Sequence, residues 1–549
     1  MDRYILMLML GFAYIAVVLV AYRAKMWGSA NASLHGPVLV WRTLKGRGML
    51  TRLAEHRRFW KVAGWGCVLV VFAAMVFITS FLVIVTFFAP SVVESATDPA
   101  VVSGATPIIN PWATLIYAIA AIGLAMFVHE MGHGIMAIAN RIRVESIGVM
   151  IFTLPIGAFV ETNDDDMEAA GPTASLKVYS AGPAANFLVA VVFLILFLGV
   201  FAPSAKPVLE GALVTDIVLD SPADLYGIPT WAQVVSVDGV RVEDSDDLQA
   251  SYVNDPGGFI TVQYHYKSGV KGAVLPGGVV VSDVPSGPAF NAGIEPGMII
   301  RSLNDTIVHS IEDLRIITEN SSHEVPVNIT VLRYHDDPSL ELGWFVEDPY
   351  ISTVNLTSKW QFYYVHYQDE LMEEYRNQSS LGVECAMFGL IAVDSDQVPN
   401  LIARPLSDAS GADGYARSAL QFLALPFLGY MPLTSPATAL YEPSGALSFV
   451  PDAVFWLLLN AVYWIFWANL ITGLANALPA YPLDGGVILR RALRWLRGKN
   501  DKKLTGLEKY TTDRWFTSWE SDVLIDMIVG ILTIVTLVMF AWHIIMPWT

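Results

Sequence analysis

The chain has 549 residues and is 54% hydrophobic and only 15% charged, yet it carries a formal charge of −18. Residues 204–417 hold 11 basic and 31 acidic residues, whereas the other 335 positions hold 22 basic and 20 acidic. An apolar, nearly neutral chain with one acidic block excludes a soluble enzyme, a nucleic-acid binder and a disordered acidic tail, and leaves a membrane protein with a water-facing domain. Cys67 lies in an apolar run and Cys385 in the acidic block, so no disulfide framework exists.

Crossing a bilayer takes about 20 apolar residues. Uncharged runs of that order occupy 4–22, 62–93, 111–128, 178–205, 453–483 and 527–549. The first lacks a small-residue cleavage site and is followed by Arg23 and Lys25, so it is expected to be retained as a span rather than removed as a signal peptide. A further apolar stretch, 418–441, is broken by Pro426, Pro432 and Pro436 and reads as re-entrant or interfacial. Basic residues flanking spans mark the cytoplasmic side. The 23–61 loop has nine Lys or Arg against Glu55 alone, and 490–514 is similarly basic, so both are expected inside. Six crossings then put the acidic block outside. Its glycosylation triplets at Asn304, Asn320, Asn328, Asn355 and Asn377 fit that side, although another begins at Asn31 in a loop placed inside.

The third run ends in His129-Glu130-Met131-Gly132-His133. On a helix, His129 and His133 are four residues apart and project from one face, as two ligands of one metal must. Glu130 sits about 100° round, where a carboxylate can serve as base to a zinc-bound water. Ionisable groups inside a span cost roughly 2.5–3.5 kcal/mol on insertion scales, which favours a functional reading over a chance match. A catalytic zinc needs a third protein ligand. Asp484 stands at the end of an uncharged run, beyond Pro479 and Pro482 and before Gly485 and Gly486, a sequence that breaks the helix and lets the carboxylate turn inward. The alternative is that Asp484 only caps the Arg490-bearing helix that follows.

His129-Glu130-x-x-His133 followed by Asn476-x-x-Pro479-x-x-x-Leu483-Asp484-Gly485 resembles the site-2 protease family of intramembrane zinc metalloproteases. Gly182-Pro183-x-x-Asn186 resembles that family's Gly-Pro-x-x-Asn element, and 148–161 resembles its membrane-associated β-hairpin. The likeness covers roughly 111–203 and 453–490. It implies one Zn2+ held by His129, His133 and Asp484, with Glu130 as general base. It also implies a place for Asn476 near the scissile carbonyl or the metal's surroundings, whereas Asn186, a polar residue at the start of a span, is expected to orient helices. A substrate helix hides its own carbonyls and must unwind, so an extended segment is expected to pair with an edge of the 148–161 strands.

The acidic block repeats itself. Residues 211–228 are echoed at 278–294, each copy continuing into β-like runs at 234–237 and 298–303, an amphipathic stretch, and further strands at 259–265 and 326–333. The copies resemble tandem PDZ domains of the permuted bacterial kind, although Trp231 stands where the second copy has Gly297, and Asn304-Asp305 where the first has Asp238-Gly239.

The expected fold class is a polytopic α-helical membrane protein of about six spans with a membrane-associated β-hairpin and an extracytoplasmic mixed α/β region. In chain order the divisions are N-terminal spans with a basic loop (1–110), the first half of the protease core (111–205), PDZ-like copies (206–275 and 276–335), an accessory acidic subdomain (336–416), the interfacial segment and Leu-Asp-Gly span (417–490), and a basic loop with the last span (491–549). The resemblance implies regulated intramembrane proteolysis: cleavage of single-span membrane proteins within the bilayer near its cytoplasmic face, after a site-1-type protease has removed their external domain. The competing reading is a non-catalytic zinc-containing adaptor that recruits partners through the PDZ-like copies. A structural zinc normally has four protein ligands and needs no base, so Glu130 argues against it.

Overall fold

The computed structural model describes residues 32–35, 38–44, 46–95, 113–152, 154–267, 269–285, 287–322, 325–336, 344–346, 349–362, 375–376, 378–395, 440–504 and 514–545, with the single positions Ala16 and Phe422. The chain forms two compact units. One comprises 1–197, 411–432 and 457–549, and the other 198–410 and 433–456.

The first unit opens with strands β1 (Ala32–His35) and β2 (Val38–Thr43), followed by helix α1 (Arg47–Leu53) and the 39-residue α2 (Arg57–Ser95). Helix α3 (Ala113–Ala139) leads into β3 (Val144–Phe152) and β4 (Leu154–Thr162), and α4 (Pro172–Leu196) follows. The four strands form one antiparallel sheet in the order β1-β2-β3-β4. The basic 23–61 segment is therefore more than a loop: its Leu39–Thr43 run pairs with the hairpin, Trp41 opposite Val149 and Val40 opposite Met150. In consequence β3 is an interior strand, and the edge left open on the hairpin side is that of β4.

Small residues let α3 and α4 cross closely, the usual device where lipid removes any hydrophobic drive to associate. A methyl on Gly132 would lie 2.9 Å from the Ala181 carbonyl carbon, and one on Gly134 would lie 3.1 Å from Leu50 Cδ1 of α1. Leu50 is fully buried there despite its basic neighbours.

The second unit is built as a repeat. Its first copy runs β5 (Ala212–Ile217), β6 (Gln233–Val237), β7 (Val240–Arg241), α5 (Ser245–Gln249), β8 (Phe259–Tyr266) and β9 (Gly269–Pro276). The second runs β10 (Val279–Asp283), β11 (Ile299–Leu303), β12 (Thr306–Ile307), α6 (Ile311–Asn320), β13 (Val327–Leu332) and β14 (Tyr350–Val354). Each sheet is closed by a strand from much later in the chain: β15 (Glu384–Met387) pairs with β10 of the second copy, and β16 (Leu390–Asp394) pairs with β5 of the first. The sheet orders, β9-β8-β6-β5-β16 and β14-β13-β11-β10-β15, thus match position for position.

These pairings correct the domain divisions. Residues 350–354 and 384–394, assigned by sequence to an accessory subdomain, complete the two copies, and the second copy does not end at 335. One buried core runs through both, including Val214, Val234, Ile300, Val331, Met387 and Leu390. At the crossover, the Met387 N–H donates to Gln249 Oε1 (3.0 Å) and Gln249 Nε2 donates to the Leu390 carbonyl (3.3 Å). The two residue-level departures preserve backbone shape. Trp231 takes φ 66°, as Gly297 takes 88°, and Asn304-Asp305 takes φ 44° and 64°, as Asp238-Gly239 takes 47° and 79°. Positive φ at two successive positions is the tight hairpin turn for which Asn, Asp and Gly are suited. A Trp in that region is strained, at about 1–3 kcal/mol.

Helix α7 (Asp452–Ala477) gives way at Leu478–Leu483 to a tight turn, from which α8 (Asp484–Leu504) starts; α9 (Arg514–Ile545) follows. Among the described residues, five helical stretches are long and apolar enough to cross a membrane: Arg57–Ile84, Tyr117–Ala139, Pro172–Ser204, Asp452–Ala477 and Val523–Ala541. They correspond to the second to sixth expected spans. The run at 4–22 lies outside the described residues apart from Ala16, as does 418–441 apart from Phe422, Leu440 and Tyr441. The fifth span ends six residues earlier than its uncharged run, because the prolines at 479 and 482 cannot continue the helix. Helix α9 is fastened to α8 by a paired contact of Arg490 with Asp526, Nη2 to Oδ2 at 2.5 Å.

Candidate metal centre

Helix α3 continues past the H-E-x-x-H sequence to Ala139, so both histidines sit in regular helix. His129 is buried, 6% exposed, at the end of an uncharged helical run. Asp484 is the first residue of α8, and its Oδ2 lies 2.9 Å from His129 Nε2 and 3.2 Å from His133 Nε2. The two Nε2 atoms are 3.0 Å apart. Asp484 therefore points at the histidine pair and does not act only as a cap. The turn that aims it is crowded: a methyl on Gly486 would lie 2.7 Å from the Ala480 carbonyl carbon, and one on Gly485 would strike the carbonyls of Ala477 and Leu478. Only glycine permits so close a backbone approach.

The donor set fits zinc. Tetrahedral ligands at ~2.1 Å from a metal are separated by ~3.4 Å, and two imidazoles with one carboxylate leave a fourth position open. The observed triangle of 2.9–3.2 Å is slightly contracted from that size. The surroundings fit as well. His133 Nδ1 is 2.8 Å from the Val178 carbonyl, an arrangement that puts the proton on Nδ1 and leaves the Nε2 lone pair toward the triangle. Asn186 is fully buried beside His129, its Nδ2 3.2 Å from Nδ1, while its Oδ1 has no partner among the described residues. Ligation through His129 Nε2 requires a proton on Nδ1, and the amide turned over presents Oδ1 to receive it.

Gly182, a residue that sequence reasoning assigned only to a motif, forms one wall of the centre. A methyl there would lie 2.6 Å from His133 Cε1 and 2.8 Å from His129 Nε2, and would strike His133 Nε2. The imidazoles fill the space that a side chain at 182 would need.

Glu130 groups with both histidines, with ligand atoms within 4.8 Å of one another. Its Oε2 accepts a hydrogen bond from the Val160 N–H of β4 at 2.8 Å. That N–H points away from β3, so the open edge of β4 runs beside the carboxylate. Asn476 lies on α7 with its Nδ2 donating to the Thr472 carbonyl at 3.1 Å, and it borders the same hollow as His129 and Glu130. The structure thus brings together all six residues singled out by sequence: His129, Glu130, His133 and Asp484 converge, Asn186 lies beside His129, and Asn476 borders the hollow.

The model of peptidase family M50 matches residues 117–507, which take in most of α3 and everything from β3 through α8. The chain belongs to that family. The protease RseP of Yersinia pestis is 31% identical over 167 residues, 25% of this chain and 36% of its own length. A candidate zinc metalloprotease of Clostridium perfringens is 30% identical over 159 residues, 25% of this chain and 46% of its own. A protein of Methanocaldococcus jannaschii with no assigned role is 40% identical over 80 residues, 14% of this chain and 21% of its own. The matches thus span less than half the length of each of these relatives. Zinc is the metal that the family and the donor set imply together.

Proposed function

We propose that the chain is an intramembrane zinc endopeptidase of the site-2 type, with His129, His133 and Asp484 as ligands and Glu130 as general base. The observation that carries this reading is the convergence of two imidazoles and one carboxylate at 2.9–3.2 Å, with a second carboxylate beside them, among helices apolar enough to span a bilayer. Bound there, zinc supplies an acidified water and a polarised scissile carbonyl.

The remaining chemistry falls to the chain. Glu130 takes the proton of the attacking water and passes it to the leaving amine, while the Val160 N–H holds its carboxylate in place. Val178 and Asn186 fix the imidazole tautomers. Asn476 offers an amide to the scissile carbonyl. An unwound substrate segment adds along β4, whose edge is open, rather than along the interior β3.

On this reading the substrates are single-span membrane proteins, already trimmed outside by a site-1-type protease and cut near the cytoplasmic face. The acidic block is extracytoplasmic and PDZ-like, and it screens substrates by the bulk they retain. Its shared core and the Gln249 bridge across the crossover favour a rigid spacer over two independent peptide binders. The test is cleavage of a single-span substrate by purified protein in lipid, comparing wild type with Glu130→Gln and Asp484→Ala. Glu130→Gln is expected to keep its zinc and lose at least ~100-fold in rate, while Asp484→Ala loses zinc as well. Equal cleavage by Glu130→Gln and wild type would refute the assignment, and zinc retention without any cleavage by wild type would favour the adaptor.

A further inference from the structure

Between α3 and α7 lies a cavity of about 360 Å3 that opens on His129 and Glu130. Each wall is a ladder of residues one helical turn apart: Ile122, Met126 and Glu130 on α3, and Trp467, Ile471 and Ala475 on α7. Residues four apart share a helix face, so the cavity runs about 12 Å from a wholly apolar end to the reactive carboxylate. Asn476 and Thr472 lie toward that same reactive end, and the Thr472 carbonyl is already taken by Asn476. At the apolar end the Trp467 ring is held edge-to-face by Trp464, centroids 5.6 Å apart, which makes that wall stiff. Met126 also meets the β4 edge: a methyl on Gly157 would lie 3.0 Å from Met126 Cε.

We propose that this cavity is the side-chain pocket that sets cleavage specificity, receiving one large apolar residue next to the scissile bond. The inference rests on the protease reading of the same centre. At ~30 Å3 per water the space equals roughly a dozen waters, enough for a Leu-, Met- or Phe-sized side chain with part of its backbone. A strand laid along β4 sends alternate side chains to opposite faces, so one residue enters and its neighbours do not. Acidic side chains are rejected twice, by the apolar walls and by Glu130. Met126 and Ile471 narrow the middle of the cavity and set the size limit, and Ala475 leaves the room beside the reactive end.

The experiment uses full-length protein in lipid with bound zinc. A single-span substrate is cut, the bond is located by mass spectrometry, and the residue on each side is varied among Ala, Leu, Phe and Asp. Wild type is expected to prefer Leu over Ala at one flanking position by roughly 10- to 100-fold in kcat/KM, the usual worth of filling an apolar pocket, and to reject Asp there. Ala475→Leu should cut the Leu-to-Ala preference at least tenfold, whereas Met126→Ala should shift preference toward Phe. The two changes act in opposite directions, so the second decides the matter if the first does not fold. Wild-type preference ratios in the variants overturn the pocket alone. No cleavage of any substrate by zinc-loaded wild type overturns the protease reading with it.

Discussion

Gly182→Ala tests whether the metal centre depends on the close approach of α4 to the histidine pair. Gly182 has ordinary helical geometry, so the reason for glycine is space and not φ. A methyl would sit 2.6 Å from His133 Cε1 and 2.8 Å from His129 Nε2. Reaching an ordinary contact of ~3.5 Å requires the rings to retreat by roughly 0.7–1.1 Å, most at His133 Nε2. Zinc–ligand distances tolerate about ±0.2 Å, so the triangle cannot absorb that shift and stay intact. Disturbing the support of a ligand costs about 10- to 100-fold in metal affinity, and a misplacement near 1 Å costs about 100-fold in rate. Overpacking adds roughly 1–3 kcal/mol of destabilisation. The assay is zinc per chain after dialysis against a competing chelator, followed by turnover at saturating zinc. Gly123→Ala on α3, where a methyl meets nothing within 4 Å, is the matched control and should behave as wild type. Full zinc retention with wild-type turnover in Gly182→Ala would refute the reasoning.

Two further outcomes follow from the same geometry. Val160→Pro removes the N–H that Glu130 accepts while sitting on an edge strand, where proline is tolerated. Loss of one charge-assisted hydrogen bond, ~1.5–3 kcal/mol, should lower turnover by about 10- to 100-fold with zinc content unchanged, and unaltered turnover counts against that role. Outside the membrane-spanning helices, burial and then the neighbouring Glu384 push the Cys385 thiol up to about 12. Alkylation at pH 8, mapped by mass spectrometry, should run about a thousandfold slower than for a free thiol and gain about tenfold per pH unit above that; labelling at the free-thiol rate contradicts this.

What could be read from the residues is what local chemistry determines. The spacing of His129 and His133 needs only helical geometry to place both rings on one face. The Pro479-to-Gly486 sequence shows that the helix breaks just before Asp484, because proline lacks a donor and glycine lacks a side chain. Long-range pairing was out of reach. The Val38–Trp41 run has strand-forming residues, but its charged flanks announced only a loop, and nothing nearby shows that its partner is β3, more than a hundred residues on. The crossover escaped for the same reason. Leu381-Gly-Val383 and Phe388-Gly-Leu390 resemble each other, and both Gly382 and Gly389 adopt positive φ, yet they stand far beyond the copies they complete. Gly182 sat inside a noted motif, but only the packing of α4 against the imidazoles reveals why no larger residue fits.

The late closing strands also impose a timetable. Strand β5 has its partner β16 only when synthesis has passed residue 394, some 177 residues after β5 itself is complete. At roughly 5–20 residues per second that is a wait of about 9–35 s, during which both sheets lack an outer strand and expose a row of unpaired amides. Because β15 and β16 are consecutive, the two sheets close almost at once, the second copy first. The acidic block therefore matures in one late event, and a chain stopped short of residue 384 would leave both copies open-edged.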